Sequence, residues 1–153
     1  MAMCPVVGNC LAPRIVEEDI TAVDMFGIVE PGQIAMFKMS DSPFRMAKVF
    51  LGITTSDKLK AFVNCSEPGP CAVFWMANPE TLILCSLQSI EYLARVDGRV
   101  DGYGWYTELG TWPFNDDAKE WFREYFDDHI DRRPLRCFGS PPLSRCGRAV
   151  GLL

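Results

Sequence analysis

The sequence contains one histidine, His129, and no long apolar run. A metal site built from several histidines therefore cannot form. The roughly 18 consecutive apolar residues that a membrane-spanning helix needs are also absent, so we expect no membrane partner. The first residues lack a basic segment ahead of an apolar one, which argues against a secretory signal peptide. Seven cysteines cannot all pair within the chain, and we expect free thiols in the cytoplasm or nucleus.

Motifs for nucleotide binding and catalysis are missing as well. Neither G-x-x-x-x-G-K-S/T nor G-x-G-x-x-G occurs. A single histidine at the end of an acidic segment argues against Ser-His or Cys-His catalysis, which needs a nucleophile, a base and an orienting group. Adjacent acidic pairs, such as Asp116-Asp117, do not face each other on a helix. We therefore predict a protein that is not an enzyme, with no catalytic residues and no cofactor.

The cysteines repeat one spacing, with five residues between Cys4 and Cys10 and five between Cys65 and Cys71. Structural zinc sites usually place their paired ligands two to four residues apart. We therefore predict no metal site and interpret the cysteines as small buried residues or free thiols.

The net charge of −5 is distributed unevenly along the 153 residues. Residues 1–131 hold all 20 acidic residues and 10 of the 15 basic ones, which gives −10, whereas five arginines give residues 132–153 a charge of +5. An acidic body repels phosphate and favours a basic partner. The sequence thus predicts an irregular lead-in (1–14), one globular domain (15–131) and a basic flexible tail (132–153).

Short apolar runs separated by turn signals dominate the middle of the chain. Alternation in residues 44–51 places Phe44, Met46, Lys48 and Phe50 on one face of a strand. Such runs predict a β-rich α+β fold, a small antiparallel β-barrel or sandwich of about five strands. The predicted strands lie at 34–39, 44–51, 59–64, 71–76, 82–87 and 90–96, with turns at 78–80 and at Asp97-Gly98.

Two segments have helical spacing of their apolar residues. Residues 116–131 predict an amphipathic C-terminal helix that follows a good N-cap, Asn115. Residues 16–26 predict a short N-terminal helix that ends at Gly27.

Aromatic residues are the most informative feature for function. Phe74 and Trp75 are adjacent and point to opposite faces of a strand, so we expect one of the two to lie outside the core. A glycine-rich loop carries three further aromatics, and clustered exposed aromatics beside acidic residues bind cations. The predicted ligand-binding residues are Trp75, Tyr103, Trp105 and Tyr106, with Asp97 or Asp101 as counter-charge.

Residues 31–38 (PGQIAMFK) and 44–49 (FRMAKV) resemble the opening hairpin of Tudor, agenet and BAH-type chromatin-reader barrels. Residues 71–81 (CAVFWMANPET) are similar to a strand and turn of BAH modules. These resemblances imply a non-enzymatic binding module for a basic protein or peptide, with a methylated lysine or arginine as one form of the ligand.

The same opening hairpin is similar to PUA and ASCH-like barrels, as are residues 101–105 (DGYGW) and 121–126 (WFREYF). That resemblance implies an RNA or nucleotide binder, with nucleic acid also reached through the basic tail.

A third alternative is a viral or mobile-element accessory protein whose acidic body blocks a host factor. The sequence does not fix the oligomeric state. The phosphate contacts of the RNA-binder alternative would be Lys38, Arg45, Lys48, Arg132, Arg133 and Arg136.

Overall fold

The computed structural model describes residues 2–5, 11, 14–16, 19–112 and 128–139. These residues form a mostly antiparallel β structure with one short α-helix, α1 (Asp57–Phe62), and a 3-10 turn at Leu87–Ser89. The strands are β1 (Ala2–Pro5), β2 (Ile20–Asp24), β3 (Ile28–Val29), β4 (Ile34–Met39), β5 (Arg45–Thr54), β6 (Cys71–Ala77), β7 (Glu80–Ser86), β8 (Ile90–Val100), β9 (Tyr106–Glu108) and β10 (Leu135–Arg136).

Eight of the strands form one sheet. Its order is β1-β2-β8-β4-β5-β6-β7, with β9 paired to the far end of β8. Among the described residues β1 and β7 stand at opposite ends and do not pair, so the sheet is open and the predicted barrel is not closed. The prediction of a small β-rich domain is confirmed.

The β4–β5 hairpin forms where the sequence predicts it. Strand β4 occupies residues 34–39, and Ile34 pairs with Val49. The turn before β4 contains Pro31 and Gly32, and the turn between the strands contains Pro43, and these residues favour a reversal of the chain. The predicted faces of β5 are also confirmed, because Val49 and Phe50 belong to two separate hydrophobic clusters.

Both faces of the sheet are therefore buried. On one face, Trp75 packs edge-on against Trp112, with ring centroids 5.4 Å apart. On the other face, Phe37 stacks on Phe74 at 3.9 Å. Burial of large aromatic rings on two faces supplies most of the apolar area that stabilises a sheet of this size.

A two-stranded ribbon of β3 and β10 covers the second face. Leu135 pairs with Val29, and Cys137 lies buried in the cluster that contains Phe37 and Phe74. Phe138 continues this contact by exchanging backbone hydrogen bonds with Leu93. Residues 135–138, which the sequence assigns to the basic tail, thus pack on the sheet.

Two predicted elements are wrong. Residues 20–24 of the predicted N-terminal helix form β2, because the β-branched Ile20, Thr21 and Val23 suit a strand that pairs with β8. Residues 59–64, predicted as a strand, mostly belong to α1. The Ser56 side chain caps this helix by accepting a hydrogen bond from the Leu59 N–H at 3.2 Å.

The predicted turn at Asp97-Gly98 is also wrong, because β8 runs through it to Val100. Pairing with β2 shifts register here: Ala22 faces Gly98, whereas Val23 faces Val96. The extra residue makes a β-bulge, which bends a strand without ending it. The turn at 78–80 between β6 and β7 is confirmed.

The predicted C-terminal helix lies outside the described residues except for 128–131. Within the described ranges, no helix is long and apolar enough to cross a membrane.

Candidate functional site

The β8–β9 hairpin carries the group of exposed aromatics predicted from the sequence. Val100 pairs with Tyr106, and residues 101–105 form the connecting loop. The Asp101 carboxylate accepts hydrogen bonds from the N–H groups of Tyr103 at 2.9 Å and Trp105 at 3.0 Å. The Asp101 N–H donates to the Trp105 carbonyl at 3.1 Å. One aspartate thus links both ends of the loop through hydrogen bonds.

Three exposed aromatic side chains lie on this hairpin, two in its loop and one at the start of β9. Tyr103 is 91% exposed, Trp105 73% and Tyr106 52%. The Tyr106 ring lies over Gly98 of the neighbouring strand, where a Cβ would come within 2.4 Å of the ring. Packing of an aromatic on a strand glycine fixes the ring and leaves one side of it open. Tyr103, Trp105 and Tyr106 are therefore all exposed on the same hairpin.

Two arginines of β8, shortly before the hairpin loop, form ion pairs. Arg95 binds Asp97 at 2.6 Å and Asp24 at 2.9 Å, and Arg99 binds Asp19 at 2.9 Å. The hydrogen bond to Asp97 is the main cause that raises the pKa of Arg95 above its ordinary value. This guanidinium therefore stays charged between two carboxylates, and the group of Arg95, Asp97 and Asp24 carries −1.

Two further carboxylates lie near the tip. Asp101 is tied to the loop backbone, and Glu108 is exposed on β9, two residues from Tyr106 and on the same strand face. Together with their ion-pair partners and with Arg14, whose guanidinium donates to the Leu109 carbonyl beside β9, the hairpin residues have six carboxylates and four cations, or −2. This local excess of negative charge favours a cationic ligand.

Trp75 does not belong to this site. It is 1% exposed and packs against Trp112 inside the sheet core. The prediction that it offers a ligand-binding face assumed that only one side of β6 is buried. Because the sheet has a core on each face, both Phe74 and Trp75 are covered.

Asp97 and Asp101 lie on the hairpin, but each has an internal partner. Asp97 neutralises Arg95, and Asp101 closes the loop. The sequence reasoning missed Glu108, the exposed carboxylate closest along the chain to Tyr106. Residues two positions apart in a strand lie on the same face, so the spacing of Glu108 from Tyr106 is the signal that could have identified it.

The proposed phosphate contacts do not gather at one place. Lys38 forms an ion pair with Glu91, Lys48 is 8% exposed, and Arg45 is half-buried opposite Lys38. In the C-terminal segment, Arg133 pairs with Asp131 at 2.9 Å. Arg132 and Arg136 are exposed.

The single histidine takes part in a different contact. His129 Nδ1 lies 3.1 Å from the Ser56 hydroxyl, at the edge of a cavity of about 320 Å³. Ser56 is also the N-cap of α1, and Thr54 donates a hydrogen bond to the His129 carbonyl at 2.7 Å. The backbones of Ile53 and Asp131 exchange two further hydrogen bonds. These contacts fasten residues 129–131 to β5 and α1, and we assign the Ser56–His129 pair to this attachment.

No three His, Cys, Asp or Glu side chains group as metal ligands in the part of the chain that the structure describes. None of the protein-family models, curated proteins or solved structures with which the chain was compared matches it.

Proposed function

We propose that this chain is a non-enzymatic binding module whose β8–β9 hairpin holds a basic protein segment against Tyr103, Trp105 and Tyr106. The observation that carries the proposal is the exposure of three aromatics on one hairpin, whose loop Asp101 closes. The resemblance of residues 31–49 to chromatin-reader hairpins agrees with a peptide ligand.

The chemistry of the tip suits a lysine or arginine side chain. A cation over an aromatic ring is attracted by about 0.5–2 kcal/mol, depending on its exposure to water. Nearby Glu108 adds a carboxylate that has no ion pair among the described residues. A methylated lysine keeps its charge and gains apolar area, so it is a suitable modified ligand.

The loop also has little conformational freedom left to lose. The Gly104 N–H donates to the Asp101 carbonyl at 3.0 Å, and φ of +86° at Gly104 suits the residue without a side chain. A loop that is already ordered loses less entropy on binding, which increases affinity.

Several basic residues that would contact phosphate are paired or buried, and this favours a protein ligand over nucleic acid. Lys38 and Arg133 have carboxylate partners and Lys48 is buried, so three of the six proposed phosphate contacts are already engaged or covered. Single-stranded nucleic acid could still stack its bases on the hairpin aromatics. Its binding would then depend steeply on salt through the phosphates.

The test measures binding of a fluorescently labelled lysine- and arginine-rich peptide by anisotropy, with and without trimethylated lysine. The variants are Trp105→Ala and Tyr103→Ala. Phe44→Ala is the matched control, because Phe44 is 72% exposed in the β4–β5 turn, which adjoins the start of β8, the end opposite to the hairpin loop.

We expect Trp105→Ala to weaken peptide binding about 30-fold, the effect of losing a central aromatic contact of about 2 kcal/mol. Phe44→Ala should leave the affinity unchanged. Equal losses in Trp105→Ala and Phe44→Ala would contradict the proposal. Stronger binding of a single-stranded oligonucleotide than of the peptide, lost steeply as salt rises, would favour the nucleic-acid alternative.

A further inference from the structure

Strand β9 lies at an edge of the sheet, because β8 is its one neighbour among the described strands. All three of its residues, Tyr106, Thr107 and Glu108, are exposed. An edge strand presents backbone N–H and C=O groups that can pair with another extended chain. The hydrogen bonds of the hairpin identify which groups of β9 these are.

Two backbone hydrogen bonds fix the pairing pattern between β8 and β9. The Asp101 N–H donates to the Trp105 carbonyl at 3.1 Å, and the Leu109 N–H donates to the Asp97 carbonyl at 3.0 Å. Residues that bond to the neighbouring strand alternate, along an antiparallel ladder, with residues that do not. Thr107, midway between these two bonds, therefore has its backbone groups directed towards β8.

Tyr106 and Glu108 are the residues of β9 whose backbone groups point out of the sheet. They alternate with Thr107, so their N–H and C=O groups are directed away from β8. In the part of the chain that the structure describes, these four groups have no hydrogen-bond partner. Each of the two residues can exchange two hydrogen bonds with one residue of an added antiparallel strand, which gives four in total.

The side chains of Tyr106 and Glu108 lie on one face of β9, two positions apart. Residues opposite them in an added antiparallel strand would have their side chains on the same face, about 5 Å away. Cations at these two positions would lie beside an aromatic ring and a carboxylate, both of which attract positive charge. The edge therefore complements an extended chain with lysine or arginine at alternate positions.

We propose that the ligand of the hairpin is an extended peptide that adds to β9 as an antiparallel strand and has lysine or arginine at positions i and i+2. The inference rests on the proposed function, because the ligand is the same basic segment, and it adds the conformation and the spacing of that segment. In this mode of recognition the backbone hydrogen bonds supply affinity and the alternate side chains supply specificity. The C-terminal continuation of the added strand leads to the loop that carries Tyr103 and Trp105.

The experiment measures binding of fluorescently labelled peptides to the wild-type chain by anisotropy. The first peptide, Gly-Thr-Lys-Thr-Lys-Thr-Gly, has lysines at alternate positions. Its isomer, Gly-Thr-Lys-Lys-Thr-Thr-Gly, has the same composition and charge, but its adjacent lysines face opposite sides of a strand. Two further versions of the first peptide have backbone N-methyl groups, one on both lysines and the other on the threonines that follow them.

The two N-methylated peptides separate strand addition from contact through side chains alone. In antiparallel pairing, the residues opposite Tyr106 and Glu108 donate their N–H groups to β9, whereas the N–H groups of the alternate residues point away. We expect N-methylation of the lysines to weaken binding about 30-fold through the loss of two hydrogen bonds. N-methylation of the threonines should change it by less than about twofold. The isomer should bind about threefold more weakly than the first peptide, because one of its cations is misplaced.

Amide hydrogen exchange of the unmodified protein gives a second readout. Saturation with the first peptide should slow exchange of the Tyr106 and Glu108 N–H groups, and unchanged exchange at both would overturn the inference. Equal weakening by the two N-methylation patterns, or weakening by the threonine pattern alone, would overturn it as well and leave the proposed function standing. Failure of the lysine- and arginine-rich peptide to bind would overturn the proposed function and this inference together.

Discussion

Aromatic residues occur in two regions of this molecule with opposite surroundings. In the sheet, Phe74 stacks on Phe37 and Trp75 packs on Trp112, all at most 3% exposed. At the tip of the β8–β9 hairpin, Tyr103 and the other two aromatics face water. The first set stabilises the fold by removing apolar area from water, whereas the second set contributes little to stability and remains available to a ligand.

The largest expected effect is on the buried set. Phe74→Ala removes a fully buried ring that stacks on Phe37 and also contacts Phe50, whose ring centroid lies 5.9 Å away. We expect it to lower the free energy of unfolding by about 3–5 kcal/mol. Urea denaturation followed by circular dichroism measures this. A loss below about 1 kcal/mol would mean that the two regions do not differ as described.

Alanine substitutions at two glycines, one in the sheet core and one under the hairpin, test the same difference in stability. A Cβ on Gly52, at φ of +136°, would lie 2.3 Å from the Asp131 carbonyl oxygen, which is backbone. A Cβ on Gly98 would meet only the outer atoms of the Tyr106 ring, which can rotate away. We expect Gly52→Ala to cost about 1–3 kcal/mol from its backbone conformation and more from the clash. Gly98→Ala should cost about 1 kcal/mol at most, and thermal unfolding of both variants checks the order.

The smallest expected effect on stability is at the tip. Trp105→Ala removes a side chain that is 73% exposed, and we expect the free energy of unfolding to change by no more than about 0.5 kcal/mol. The same denaturation experiment as for Phe74→Ala gives the value. A loss of 2 kcal/mol or more would place Trp105 with the structural aromatics.

The sequence predicted the parts of the fold that local chemistry decides. The β4–β5 hairpin follows from Pro31-Gly32 before β4 and from the short polar turn at 40–43 between the strands, and its two faces follow from the alternation of side chains along residues 44–51. The exposed aromatics of the tip follow from the glycines of their loop. In each case the residues that determine the structure are close together in the chain.

The errors come from contacts that are distant in the chain. Asp97-Gly98 has the composition of a turn, but pairing with β2 and packing of Tyr106 on Gly98 make it a bulge. Trp75 is buried because Trp112, 37 positions later, covers its face of the sheet. Neither partner can be identified from local periodicity, so burial on both faces was not predicted.

Titration of the 15N-labelled protein with the lysine- and arginine-rich peptide tests the division between the two regions most directly. The indole N–H signals report Trp75, Trp112 and Trp105 separately once they are assigned with Trp→Phe variants. The account predicts that the Trp105 signal shifts with peptide concentration, while the signals of the buried Trp75 and Trp112 stay in place. An unchanged Trp105 signal at peptide concentrations that saturate binding would contradict it.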